Sequence, residues 1–316
     1  MSTEPQTLVE AIRHFADPDV TLNTMIGLRW PTGVHCPTCG RVDVQFIATR
    51  RVWECKEKHP KRQFSAKVGT IFEDSPLGLD KWFCAIWMIA NCKNGVSSYE
   101  IHRAIGVTQK TAWFMLHRVR LAMETGSFLK SGGPAEADET FIGGLAKNMH
   151  KARKAKVITG TGGAGKAVVM GVLRRGNKLE ASKVTARHVP DTTAATLHFQ
   201  VKAAVAPGSE LFTDTHGGYR GFSADYVHQV VDHSIEYVRG QVHTNGLENF
   251  WSLFKRALKG TYVSVDPVHL DGYVVEQTFR FNERKDNDGG RFRKVLASVT
   301  GRRITYKELT SNGTTA

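Results

Sequence analysis

The stretch Ala135-Glu136-Ala137-Asp138-Glu139-Thr140-Phe141-Ile142, closed by Gly143-Gly144, decides how the rest of the chain is read. Eight residues without a helical repeat, stopped by two glycines, predict a β-strand. Its carboxylate Asp138 then lies near a strand end beside glycines, on a rim where a ligand can reach it. Just upstream, Ser131-Gly132-Gly133-Pro134 breaks the helical texture of residues 73–130 and reads as a linker. Downstream, Ala167 to Leu173 and Lys178 to Val184 predict a hairpin through Arg174-Arg175-Gly176-Asn177. A helix is expected over Asp191 to Ala206, and a short strand over Glu210 to Thr215.

Two further acids belong with Asp138. Asp214 ends Leu211-Phe212-Thr213 and is followed by Thr215, His216 and Gly217-Gly218. Glu248 opens a predicted helix from Gly246 to Leu258. On that helix Leu247, Phe250, Trp251, Phe254 and Leu258 share one side, while Glu248, Ser252, Lys255 and Lys259 form a polar stripe. Two turns separate Glu248 from Lys255, about 10.5 Å along the axis, so the acid can face a metal while the lysine reaches a phosphate. Each acid also has a plainer reading. Glu136 or Glu139 rivals Asp138 as a ligand, and Asp214 suits a turn. Asn245-Gly246-Leu247-Glu248 matches a capping box with Asn245 as N-cap.

Strand, strand and helix deliver these acids in the order that a metal-assisted phosphoryl-transfer site needs. Such chemistry requires an activated oxygen nucleophile and a stabilised leaving oxygen. Two Mg²⁺ (or Mn²⁺) ions about 3.5–4 Å apart serve both, and such ions favour carboxylate oxygens.

A second metal signal lies upstream. Cys36-Pro37-Thr38-Cys39, fifteen further residues, then Cys55 and His59 give C-x₂-C…C-x₃-H. Zn²⁺ takes four N or S ligands tetrahedrally, and strands from Val42 to Ala48 and Arg51 to Glu54 bring the two pairs face to face. A site closed by four ligands is structural. Cys84 and Cys92, eight apart in an apolar helix, read as core residues.

Ser97 to Ile105, Gly106-Val107 and Thr108 to Val119 read as helix, turn, helix. Ala104, Ile105, Val107, Ala112 and Leu116 are available to pack the pair, and Gln109, Lys110 and Thr111 face outward at the second helix. There they can contact DNA, although a plain helical core has the same pattern. Gly160 to Ala167 nearly matches a phosphate-binding loop but ends in Ala167, without the hydroxyl, and precedes a strand. With Lys147, Lys151, Arg153, Lys154 and Lys156 it reads as a basic loop.

Lysines and arginines exceed acids by 13 (43 against 30), which points to a polyanionic partner. The polar Met1 to Glu10 and the short apolar run Phe83 to Ala90 show neither a signal peptide nor a membrane span. A cytoplasmic, nucleoid-associated protein with reduced cysteines is therefore expected.

These residues resemble the bacterial insertion-sequence DDE transposases that carry an N-terminal zinc ribbon. The matching blocks are Arg29-Trp30-Pro31, Cys36-x₂-Cys39, Gln63-Phe64-Ser65, Gly69-Thr70-Ile71-Phe72, Lys81-Trp82-Phe83 and Thr111-Ala112-Trp113. They continue through Asp138-Glu139-Thr140-x₂-Gly143-Gly144, Thr213-Asp214 and His243-Thr244-Asn245. Glu248-Asn249-Phe250-Trp251-Ser252, Lys255-Arg256, Lys259-Gly260 and Arg280-Phe281-Asn282 complete them. The resemblance implies a multidomain α/β protein with a ribonuclease-H-like mixed sheet flanked by helices. Its expected parts are a helical lead-in (1–30), a zinc ribbon (31–72), a helix-turn-helix-like domain (73–130), a catalytic domain (135–285) and a basic tail (286–316). It also implies DNA cleavage and joining at Asp138, Asp214 and Glu248, with Lys255 and Arg256 on the strand. DNA is the expected partner, as terminal inverted repeats and as target, and handling two ends requires at least a homodimer. A DNA-binding regulator without catalysis and a ribonuclease-H-like nuclease are the rival readings.

Overall fold

The computed structural model describes residues 4–130, 132–143, 165–231 and 242–311. The basic loop from Lys147 to Lys156, Gly144, and most of the Gly160 to Ala167 stretch lie outside them. The described residues fall into two compact units, one from Met1–Thr125 with Asp286–Ala316, the other from Gly126–Lys285.

The first unit opens with two helices, α1 (Leu8–His14) and α2 (Pro18–Arg29), where the sequence showed one helical stretch. Thr7 caps α1 in a capping box with Glu10, and Asp17 caps α2 ahead of Pro18. An antiparallel three-stranded sheet follows: β1 (Val44–Ile47), β2 (Val52–Cys55) and β3 (Gln63–Phe64). β1 is shorter than expected at both ends. Ala48–Arg50 turns as a 3₁₀ segment, and Arg51 takes a left-handed conformation (φ 49°) to reverse the chain. Trp53 is the hub of this small sheet, with Trp30, Phe46 and Phe64 around it at ring distances of 5.6, 5.0 and 6.0 Å.

Helices α3 (Leu79–Asn91), α4 (Ser98–Ile105) and α5 (Gln109–Met123) come next. α4 is capped by Ser97 with Glu100 and ends on left-handed Gly106; Thr108 caps α5. Ala104 is exposed and takes no part in packing the pair. Beyond its first turns α5 is buried on every side, Met115 to Arg120 included. It is a core helix, open only near its N-terminus.

In the second unit, β4 (Ala135–Ile142), β5 (Ala167–Arg174), β6 (Lys183–Val189), β7 (Glu210–Thr213) and β8 (Val227–Val230) form one sheet in the order β6-β5-β4-β7-β8. β4, β5 and β6 pair antiparallel; β7 and β8 continue in parallel. Three antiparallel strands with the first central, extended by two parallel ones, form the ribonuclease-H-like mixed sheet. The hairpin between β5 and β6 is longer than expected. Asn177 Oδ1 accepts from the backbone N–H of Leu179 and Glu180, and the Asn177 N–H donates to the Glu180 carbonyl, so these residues form a turn and the strand begins at Lys183.

Strand alternation sorts the core into two layers. Ala135, Ala137, Met170, Val172 and Leu211 pack on one face with Leu197 and Val201 of α6 (Ala194–Ala204). Val169 and Leu173 pack on the other with α7 (Asn245–Ala257) and α8 (Leu270–Asn282). Asn282 fixes α8 to the edge strand: its side-chain amide donates to the Val184 carbonyl at 2.8 Å and accepts the Val184 N–H at 2.7 Å.

The residues expected as a basic tail contain α9 (Asp288–Ala297), which buries Phe292, Val295 and Leu296, and α10 (Tyr306–Thr310). An antiparallel bridge joins Thr300 to Thr70. Apolar positions in the segment were outweighed in the sequence by its basic residues. No described helix is long and apolar enough to cross a membrane.

Gly171 pairs with Asp138 across β5 and β4. A Cβ there would meet two Trp251 ring carbons at 2.8 Å and Leu247 at 3.0 Å. Gly171→Ala should therefore cost about 1–3 kcal/mol by overpacking, measured as a lower midpoint in urea unfolding of the whole chain.

Candidate metal centres and active site

Cys36 and Cys39 sit on a tight knuckle in which the Gly40 N–H donates to the Cys36 carbonyl, with Gly40 at φ 75°. Cys55 ends β2, and His59 lies on the turn beyond it. Cys36 Sγ is 3.5 Å from His59 Nε2, and Cys39 Sγ is 3.6 Å from Cys55 Sγ. Zinc bonds of about 2.3 Å to sulfur and 2.0–2.1 Å to nitrogen put tetrahedral S···S edges near 3.8 Å and S···N edges near 3.5 Å. The four side chains fit that ion. His59 Nδ1 is 2.7 Å from the Pro60 carbonyl; as the donor there it leaves Nε2 free to ligate. Burial pushes the Cys36 thiol up, but N–H donors from Cys39 and Thr38 and its thiol neighbours bring it down to about 7, favouring the thiolate.

The acids occupy the second unit, and the parallel β4–β7 register brings two of them together. Ala135 pairs with Leu211 and Glu136 with Phe212. Two residues beyond that last pair come Asp138, on β4, and Asp214, just past the end of β7, and the charge of Asp214 reaches both Asp138 and Glu139. Trp251 of α7 donates its indole N–H to Asp138 Oδ2 at 2.9 Å. Burial first, then the negative charge of Glu139, raises Asp138 from its ordinary 3.8 to about 7; the indole hydrogen bond opposes the shift and Asp214 adds to it.

Asp214 lies just past β7, and its Oδ1 accepts the His216 N–H at 2.9 Å, an Asx turn that starts the glycine-bearing loop. Glu248 is exposed in the first turn of α7, with the Thr244 hydroxyl 3.5 Å from its Oε1. The expected capping box is absent: the N-cap is Thr244, not Asn245, and its side chain makes no capping hydrogen bond. Glu136 of β4 supplies that service, accepting the Leu247 N–H at 3.0 Å.

Both rivals of Asp138 have partners within the protein. Glu136 is buried in an ion pair with Arg175 at 2.8 Å. Glu139 points to the opposite face, where the buried Tyr219 hydroxyl donates to it at 2.6 Å and His216 lies 3.8 Å away. Burial raises the Glu139 carboxyl as well.

Lys255 lies on the same helix as Trp251. Burial lowers its pKa, Asp138 acts in the opposite direction, and Lys259 and Lys166 reinforce the lowering. Lys255 thus lies near Asp138, with Lys259 and Lys166 near Lys255. Arg256 is exposed on the next position. Lys166 was hidden in the sequence as part of the glycine-rich stretch. Among the described residues, the cysteine–histidine set is the group of three or more potential ligands whose ligand atoms all lie within 4.8 Å of one another.

In the first unit, the three residues expected to face outward already have local partners. Gln109 donates to Ser98 Oγ at 2.8 Å, the Lys110 ammonium lies 4.6 Å from the centre of the Tyr306 ring, and the Thr111 and Thr108 hydroxyls are 2.8 Å apart. Lys110 alone of the three is exposed, the other two being half-buried.

Two outcomes follow from this geometry. The purified chain should hold one zinc ion by atomic absorption, and Cys55→Ala should abolish it and the near-ultraviolet circular dichroism of the Trp53 cluster. For Asp138 the sign is opposite to that of a paired carboxylate. Between pH 3.8 and about 7 the folded chain holds a proton that the unfolded chain has released, so stability falls as pH rises through that window. Thermal melts of Asp138→Asn protein should lack that part of the slope.

Comparison with known proteins agrees with both units. Residues 130–282 match the model of the ISXO2-like transposase domain, and residues 19–57 match that of the transposase zinc-ribbon domain. The chain is 27% identical over 263 residues to a Halobacterium salinarum protein described as "Uncharacterized protein in transposable element ISH50", covering 78% of this chain and 85% of that one. A zinc ribbon ahead of a ribonuclease-H-like sheet, each matched by its own family model, places the chain in the IS1595 family of ISXO2-like DDE transposases.

Proposed function

We propose that the protein cuts phosphodiester bonds at the ends of a DNA element and joins the freed 3′ ends to target DNA, using Asp138, Asp214 and Glu248. The observation that supports this reading is that Asp138 lies on β4 while Asp214 follows the end of β7, its parallel neighbour, close enough for the two charges to interact. There, burial and like charge oppose ionisation of Asp138, and a divalent cation would relieve both. The donor set suits Mg²⁺ or Mn²⁺, being made of carboxylates reachable from solvent. When bound, the ions supply positive charge at the attacking and leaving oxygens.

The chain's own groups do the rest. Trp251 occupies Asp138 Oδ2 with its N–H, which fixes the carboxylate plane and leaves Oδ1 to a cation. Lys255, Lys259 and Lys166 form a cationic rim that attracts the phosphates of the bound strand, with Arg256 beside them. Cleavage and joining are both in-line displacements at phosphorus, so one such site serves both steps. The ribbon, closed by structural zinc, and the open first turn of α5 at Lys110, with Gln109 and Thr111 beside it, hold the terminal inverted repeats. Two element ends require two copies of the chain.

Asp138→Ala and Asp214→Ala proteins should bind terminal-repeat DNA as the wild type does in a mobility-shift assay. Their Mn²⁺-dependent strand transfer should fall on the order of 10³-fold. Strand transfer that survives in either variant would sink the assignment.

A further inference from the structure

Arg175 lies outside the acid triad, in the turn that follows β5, yet its side chain reaches all three segments that carry the acids. Its Nε donates to Glu136 Oε1 of β4 at 2.8 Å. One of its terminal nitrogens donates to the His243 carbonyl at 2.7 Å and to His243 Nδ1 at 2.9 Å, in the segment that leads into α7. The face of its guanidinium stacks over Phe212 of β7, 4.2 Å from the ring centre. Its own backbone N–H donates to the Pro134 carbonyl at the start of β4. Glu136 is two residues before Asp138, Phe212 two before Asp214, and His243 five before Glu248. The other oxygen of Glu136 accepts the Leu247 N–H, so the same ion pair anchors the helix N-terminus.

We infer that Arg175 is a positioning residue for the whole metal site, a planar fork that sets the mutual spacing of Asp138, Asp214 and Glu248. Stability alone does not account for it. A buried ion pair loses much of its attraction to desolvation, and apolar replacements of similar volume are often neutral or better. What an apolar pair lacks is directionality: a guanidinium fixes two donors and a stacking face in one plane, which neither lysine nor methionine reproduces. Outer partners of metal ligands typically govern affinity by about 10–100-fold.

This inference rests on the metal-site reading above, and the experiment separates the two. Mn²⁺ binding to the full-length protein is followed by the electron paramagnetic resonance of free Mn²⁺, for the wild type, Arg175→Lys, and the double variant Glu136→Gln/Arg175→Met. The double variant removes the ion pair but keeps an acceptor for the Leu247 N–H. Both variants should bind Mn²⁺ about 10–100-fold more weakly, while the double variant keeps a cooperative thermal transition within a few degrees of the wild type. Wild-type Mn²⁺ affinity in the folded double variant, or in folded Arg175→Lys, would overturn the positioning role and make the pair merely structural. A wild-type protein that binds no Mn²⁺ would instead overturn the metal-site reading itself.

Discussion

A carboxylate on the central strand of a sheet, half-covered by a helix, is costly to ionise, and the second unit is arranged around that cost. β5 supplies a glycine opposite Asp138, which leaves room for the Trp251 ring to lie against the sheet. The ring fills the gap with apolar surface and turns its one polar atom toward the carboxylate. Packing and electrostatics are thus decided by the same side chain. Burial, and then the charge of Glu139, raise this acid to about 7.

The two units hold themselves together by different means. The second has a layered core on both faces of its sheet. The ribbon has a small aromatic cluster about Trp53 and three short strands, too little apolar surface to fix a fold by burial alone. Four ligands with zinc geometry supply what that cluster lacks. The two units thus differ in chemistry as well as in packing: thiolates and an imidazole gather in the first, while the second carries its carboxylates on and beside a sheet.

Much of this was legible from residue order. The lack of a helical repeat and the closing glycines marked β4, the C-x₂-C…C-x₃-H spacing marked the ribbon ligands, and the apolar stripe of α7 marked which of its sides is buried. What escaped notice depended on contacts across the sequence. The N-terminus of α7 is capped by Glu136, 111 residues before its partner Leu247, so local pattern favoured Asn245 and a capping box that does not form. Val227–Val230 gave no strand signal, since an edge strand with exposed and half-buried positions has no clear alternation. Arg175 sat in a turn and Lys166 in a glycine-rich run, and nothing local in either place announces a role. Ala104 and the helix α9 show the opposite failure, where periodicity and composition misjudged burial.

The bridge between Thr70 and Thr300 has a consequence for biosynthesis. One unit is contiguous in the chain, whereas the other is assembled from two widely separated stretches of the polypeptide. During translation the contiguous unit has its full sequence before residue 286 emerges, while the ribbon and its helices still await their last partners. Closing so long a loop is slow relative to local folding. The sheet-bearing unit therefore has all its residues available for folding before its split companion does.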